Sequence, residues 1–228
     1  MKKNVQLKDR AEHSHQRSNV YAFLASVYRE EINADLLHRI KDPHFMEVLS
    51  DLGVSLGEEF FSTPEKDLLE NLAVEYTRLF LGPDKHISPH ESVHHERDGG
   101  DWGTLWGKST VEVKKFIETA GLEYKSEFTG LPDHISVELE FMQALTQKES
   151  TAWEKNDIDG VHYCCQIEKK FFNEHLAKWT HAFCDKIKLM AELPFYREIA
   201  NITQNFMEFE KEEMSTCKEE TRKKVKTA

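Results

Sequence analysis

Proline and glycine are scarce in this 228-residue chain, 6 and 10 respectively, so there is little to interrupt helices. Cysteine is scarcer still. Cys164, Cys165, Cys184 and Cys217 include an adjacent pair ill suited to an ordinary disulfide and no CxxC, which excludes a zinc ribbon or a dithiol redox motif and predicts reduced thiols. No apolar run approaches the ~18 residues of a membrane span, and "MKKNVQLKDRAEHSH" lacks the apolar segment of a secretory signal, so a cytoplasmic chain is expected. Basic residues are also short: 30 Lys and Arg face 41 Asp and Glu. The resulting net charge of −11 repels phosphate backbones and excludes general nucleic-acid binding. Strand signals are missing, because no β-branched alternation persists.

What is present is helical period. Val20, Leu24, Val27 and Tyr28 make one stripe, and Leu68, Leu72, Tyr76, Leu79 and Phe80 another that starts from Pro64 and stops at Gly82-Pro83. The fold class is therefore all-α, a single compact domain over 1–217 followed by a charged, frayed tail at 218–228. Between Gly82 and Gly107 the period lapses. Two prolines and five glycines punctuate a histidine-rich stretch, expected to be a long connection whose length would permit a hinge and domain exchange between copies. Helices resume at Ser109, where Ser109-Thr110-Val111-Glu112 spells a capping box, and at Pro132, with Asp133 in the first turn and an end near Lys148. A single long helix is expected from about Asp157 to Lys188, and a last one through Ile199, Ile202 and Phe206.

Three enzymatic motifs can be weighed. His90-Glu91-Ser92-Val93-His94 spells the zinc-hydrolase HExxH, which works when two histidines four apart share one face of a helix and the glutamate polarises water. Only a short helix fits before Asp98-Gly99-Gly100, so a zinc hydrolase using His90, His94 and Glu91 is the alternative reading rather than the first. "GTLWGKST" is one residue short of a P-loop and follows no strand. A di-iron bundle needs two ExxH sequences on facing helices, and Glu91-x-x-His94 alone has the spelling. None of these predicts a catalytic residue, a resident metal or a cofactor.

The densest signal is "LPDHISVELEFMQAL". Ile135, Leu139, Met142 and Leu145 form one stripe, while Val137 and Phe141 widen it, which places Glu138 near buried surface in need of a partner. A buried Arg, Lys, Trp or Tyr would satisfy it.

Taken together, "EYTRLFLGPDKHISPHESV" (Glu75 to Val93), "PDHISVELEFM" (Pro132 to Met142) and "FFNEHLAKWTHAF" (Phe171 to Phe183) resemble, in order, the motifs of the TorD/DmsD family of chaperones. The resemblance implies an all-helical, non-enzymatic cytoplasmic protein that binds the twin-arginine signal peptide or the apo form of a molybdopterin-dependent oxidoreductase and assists cofactor insertion before export. It makes the second histidine of HExxH a coincidence. Carried over by motif position, Asp133 and His134 are the candidates for peptide contact, and Tyr76, Leu79 and Phe80 those for an apolar groove or the core beneath it. Glu138, Glu91 and Trp102 complete the set. Two guanidinium groups followed by an apolar stretch call for carboxylates beside such a groove.

Overall fold

The computed structural model describes residues 2–51, 54–83, 85–95, 103–121 and 130–225. Ten α-helices account for most of them: α1 (Lys2–Arg29), α2 (Ala34–Ile40), α3 (Pro43–Asp51), α4 (Glu58–Ser62), α5 (Glu65–Tyr76), α6 (Lys108–Thr119), α7 (Ile135–Glu154), α8 (Ile158–Glu174), α9 (Leu176–Met190) and α10 (Pro194–Val225). No strand occurs among the described residues; an isolated antiparallel bridge between His90 and His134 is the sole β-type pairing found there.

Helix α1 lies along α7, α7 packs on α8, and α10 packs on α9 and α8. The core these helices share is unusually aromatic. Tyr21, Tyr28, Phe171, Phe172, Trp179, Phe183, Phe195 and Tyr196 are all nearly or fully buried, and rings meet edge to face, as Tyr28 does with Phe183 at 5.5 Å. Buried phenols find partners, as required of a polar atom away from water: Tyr28 Oη lies 2.9 Å from Thr203 Oγ1, and Tyr196 donates to the Leu72 carbonyl at 3.1 Å.

A polar knot also sits in this interior. The Arg17 guanidinium on α1 donates to Glu210 on α10 through two nitrogens at 2.7 Å each, to Glu168 on α8 at 2.8 Å, and to Glu149 on α7 at 2.9 Å. The Tyr21 hydroxyl donates to the same Glu210 at 2.8 Å. Burial drives the Glu168 carboxyl up to about 8, against the opposing pull of Arg17.

Several helix boundaries differ from those the sequence suggests, each for a local reason. The break after Glu174 splits the expected long helix, because His175 adopts φ −126° and ψ −88° and its side chain is held by Glu91. Helix α6 starts at Lys108 with Gly107 at its N-cap, so Ser109 lies inside the first turn and the capping box does not form. Pro132 and Asp133 form a turn ahead of α7, whose N-cap is His134, rather than its first helical residues. Pro64 is the N-cap of α5, not its first helical residue. Helix α10 runs from Pro194 to Val225, so the expected tail boundary at 217 falls within it.

The apolar stripe of α5 ends in a π-helical turn, Thr77–Leu81, closed by Gly82-Pro83. Such turns insert a residue into the helical register and are common at functional sites. Glu75, buried just before it, accepts hydrogen bonds from the backbone N–H groups of Glu192 at 2.6 Å and Leu193 at 3.2 Å. That carboxylate therefore fixes the end of α5 to the link between α9 and α10.

Candidate functional site

A groove of about 730 Å³ opens where α1 ends, where the π turn ends, and where α7 begins. Its volume falls in the range of ordinary ligand sites. Tyr76 and Phe80 form the apolar floor, each almost wholly buried, with Tyr76 Oη donating to the Tyr28 carbonyl at 3.0 Å. Leu81 lies beside them and is 62% exposed, a large apolar side chain at the groove's edge. The lining also includes two exposed carboxylates, Glu30 and Glu31, at the rim. Thr77 Oγ1 donates to Glu31 at 3.0 Å and so fixes one of them relative to the π turn. Next to this rim the Arg29 guanidinium pairs with Glu140 of α7, so the wall already accommodates an arginine–carboxylate contact.

The far wall is where the two long motifs meet. Glu91 N–H donates to the Asp133 carbonyl at 2.9 Å and Ile135 N–H to the Pro89 carbonyl at 2.8 Å, which clamps "PHESV" to "PDHIS" through the backbone. The rings of His90 and His134 stand 5.0 Å apart at 80° across that clamp, and both line the groove. His134 caps α7: its Nδ1 accepts from Ser136 N–H at 3.2 Å.

Behind the wall lies a carboxylate and imidazole layer. Asp133 is fully buried, and its Oδ2 accepts from Ser92 N–H at 3.0 Å, capping the single 3₁₀ turn Glu91–Val93. The Glu91 carboxylate accepts from His175 Nδ1 and His95 Nε2, each at 2.8 Å. Burial alone would raise its pKa, but these two donors outweigh that and hold it below the usual value. Glu138 is the opposite case. Fully buried and beside the Glu91 charge, its carboxyl is pushed well above the carboxylate range and is held neutral, with Oε2 accepting from Trp179 Nε1 at 3.2 Å.

The structure thus divides the eight predicted site residues. Tyr76, Phe80 and His134 line the groove, while Leu79, Asp133, Glu138 and Glu91 are buried behind or beneath it and act on it through position. Trp102 lies outside the described residues. Glu30, Glu31, Leu81 and His90, together with Arg29, Asn33, Pro89 and Gly130, also line the groove without having been anticipated as peptide contacts. Glu30 and Glu31 did leave a signal, since two carboxylates just past the C-terminus of α1 sit at the negative end of its dipole, where a helix favours cations.

The HExxH reading is corrected here. His90 is extended at φ −123° and ψ 131°, and the following 3₁₀ turn ends at Val93, so the two histidines do not share a helix face. His94 instead points its Nε2 at the Ser88 carbonyl, 2.7 Å away, and packs its ring on Trp179 at 5.1 Å. Among the described residues no group of three or more potential ligands is placed to hold a metal ion.

Two predictions arise from this wall. Burial lowers the His134 imidazole to about 3 and His94 to about 4, and lowers His90 against the opposing charge of Asp133. Each prefers to be neutral when folded, so the stability they contribute is complete above pH 6.5 and is lost as pH falls below it. Thermal unfolding followed from pH 7.5 to pH 5 should show a falling Tm. His134→Asn, which keeps a capping side chain, should flatten the slope. The second concerns Gly103, where a Cβ would lie 1.7 Å from the Ser92 carbonyl oxygen. Gly103→Ala must therefore displace the 3₁₀ turn, at about 1–3 kcal/mol by chemical denaturation.

Comparison with known proteins adds a family context. Residues 42–185 match the family described as the nitrate reductase delta subunit. The chain is 25% identical over 210 residues to the chaperone protein TorD of Shewanella pealeana, covering 86% of this chain and 88% of that one. It is 28% identical over 204 residues to TorD of Shewanella oneidensis, covering 78% and 92%. The fold is similar to a solved structure from Archaeoglobus fulgidus described as a redox enzyme maturation protein, with a TM-score of 0.50, 21% identity, and coverage of 85% and 92%.

Proposed function

The chain belongs to the nitrate reductase delta subunit family, and from that premise we propose that it is a maturation chaperone that receives the twin-arginine signal peptide of a molybdopterin-dependent oxidoreductase in the groove between α1, the π turn and α7. The observation that carries this reading is the juxtaposition of two exposed carboxylates, Glu30 and Glu31, with an apolar floor of Tyr76 and Phe80 edged by Leu81. A peptide with two adjacent guanidinium groups followed by apolar residues presents the complement of both halves.

In this reading His134 and His90 form the wall against which the peptide backbone rests. Asp133, Glu91 and Glu138 are positioning residues: Asp133 holds the 3₁₀ turn, and Glu91 and Glu138 hold the helices behind it. Leu79 supports Phe80 from the core. The chaperone acts on its client before export, hence in the cytoplasm, and no helix of the described residues is long and apolar enough to cross a membrane. It needs no catalytic residue, because selective binding of an unfinished enzyme is its whole task.

Calorimetric titration with a synthetic twin-arginine peptide, beside one whose two arginines are lysines, tests the reading at low and moderate salt. Saturable binding that weakens with salt and with the lysine pair is the expected result, since lysine cannot make the bidentate contact that arginine makes with a carboxylate. Equal binding of both peptides, or none of either, would remove signal recognition from this groove.

A further inference from the structure

A second cleft, of about 490 Å³, lies between α6 and the α8–α9 break. Its two walls follow the same order. On α6, Lys108, Glu112 and Lys115 recur at i, i+4 and i+7, and across the cleft stand Lys170, Glu174 and Lys178. All four lysines are exposed, and they outnumber the two glutamates in a chain that is otherwise net negative by 11. Among the described residues, Lys115 and Lys178 have no carboxylate within ion-pair distance, while Lys108 pairs with Glu112 at 3.3 Å. The floor is apolar: Phe116 is half-buried with Lys170 Nζ 5.3 Å from its ring centroid, and Ile167 and Ala120 lie beside it.

The two lysines of α6 are seven residues apart, about 10.5 Å along the helix axis. Carboxylates at i and i+7 on an opposing helix have the same separation, and the residues between them at i+3 and i+4 fall over the floor. A small anion would use one end of the cleft and leave the apolar floor and the remaining lysines unused. We infer that this cleft is a docking site for an amphipathic helix of a partner protein, one that carries glutamates or aspartates in rows flanking an apolar stripe. The surface is separate from the signal-peptide groove and its occupant has the opposite charge, so a client or partner can be held by its basic leader at one site and by an acidic helix at the other. Neither site's existence depends on the other's.

The test uses the full chain and a fluorescein-labelled synthetic helix with leucines at i, i+4, i+7 and i+11 flanked by two rows of glutamate, followed by anisotropy at 50 and 300 mM NaCl. Saturable binding that weakens at the higher salt is expected. The same peptide with glutamines in place of glutamates should bind at least tenfold more weakly. Lys115→Glu with Lys178→Glu should reduce affinity at least tenfold while leaving the far-UV circular dichroism and the twin-arginine titration unchanged, because both side chains are exposed and neither lines that groove. Absence of saturable binding overturns the proposal, as does binding unaffected by the two reversals. Binding of ATP or tripolyphosphate that is lost in the double variant, without peptide binding, also overturns it and makes the cleft a small-anion site.

Discussion

Replacing Arg17 by methionine is expected to lower the free energy of unfolding by about 3–5 kcal/mol, because it removes the one cation shared by three buried carboxylates. For a chain of this length that corresponds to a fall in Tm of roughly 6–20 °C. The effect is large because the remaining carboxylates cannot reach water. Glu210 is fully buried and Glu168 nearly so, and their only compensation comes from neighbouring donors. The variant should be least stable at alkaline pH. Without the guanidinium, the folded Glu168 carboxyl loses the charge that opposes its upward shift, so the stability it lends is retained at acid pH and lost as pH rises. In the parent protein the same sign holds for Glu168, whose contribution is complete below pH 4.5 and lost as pH approaches about 8. This contribution opposes that of the buried histidines over the same range, so Glu168→Gln should make the fall in Tm between pH 7.5 and pH 5 steeper than in the parent protein. A loss under 1 kcal/mol for Arg17→Met would mean that water reaches the knot.

Glu30→Gln combined with Glu31→Gln is expected to weaken binding of a twin-arginine peptide by about 10- to 100-fold. Hydrogen bonds to charged partners contribute about 1.5–3 kcal/mol each, and rim exposure discounts two of them towards the lower end. The residual binding should lose most of its salt dependence, which separates a loss of charge pairing from a loss of shape. Folding should be unaffected, since both carboxylates are exposed and stand against the dipole of α1. Leu81→Ser, at a side chain that is 62% exposed, should instead reduce affinity while preserving the salt slope, as expected for the apolar half of the groove. If the double variant bound the peptide as well as the parent, the carboxylates would have no part in recognition and the groove would lose its assignment.

The contrast between these two sites shows what a sequence exposes. Helical period and the scarcity of glycine and proline were enough for an all-α fold, and Tyr76, Phe80 and His134 were legible because they fall inside ordered motifs that the structure clamps together. Glu138 was legible as a buried carboxylate in need of a partner, which Trp179 supplies. Asp133 departs from its local pattern: a carboxylate after proline fits the first turn of a helix, but here it accepts from the backbone of a different turn, 41 residues earlier in the chain. Nothing local reports such a long-range bond. The same limit hid the break at His175, whose cause is Glu91, 84 residues away. Glu30 and Glu31 were not read as site residues, and they become a rim only where α1, the π turn and α7 meet.

The knot around Arg17 also sets an order of events for a chain made from its N-terminus. Helix α1 is synthesised first, yet Glu149, Glu168 and Glu210 lie 132, 151 and 193 residues further on. At elongation rates of about 5–20 residues per second, the last of these carboxylates is added roughly 10–40 s after the arginine. For roughly the first 7–27 s of that interval the apolar stripe of α1 has no α7 to cover it, and for all of it no complete α10. Nascent copies on one polysome therefore share a window in which α1 of one chain can meet α7 of another, so the chain is exposed to mispairing until α10 is made.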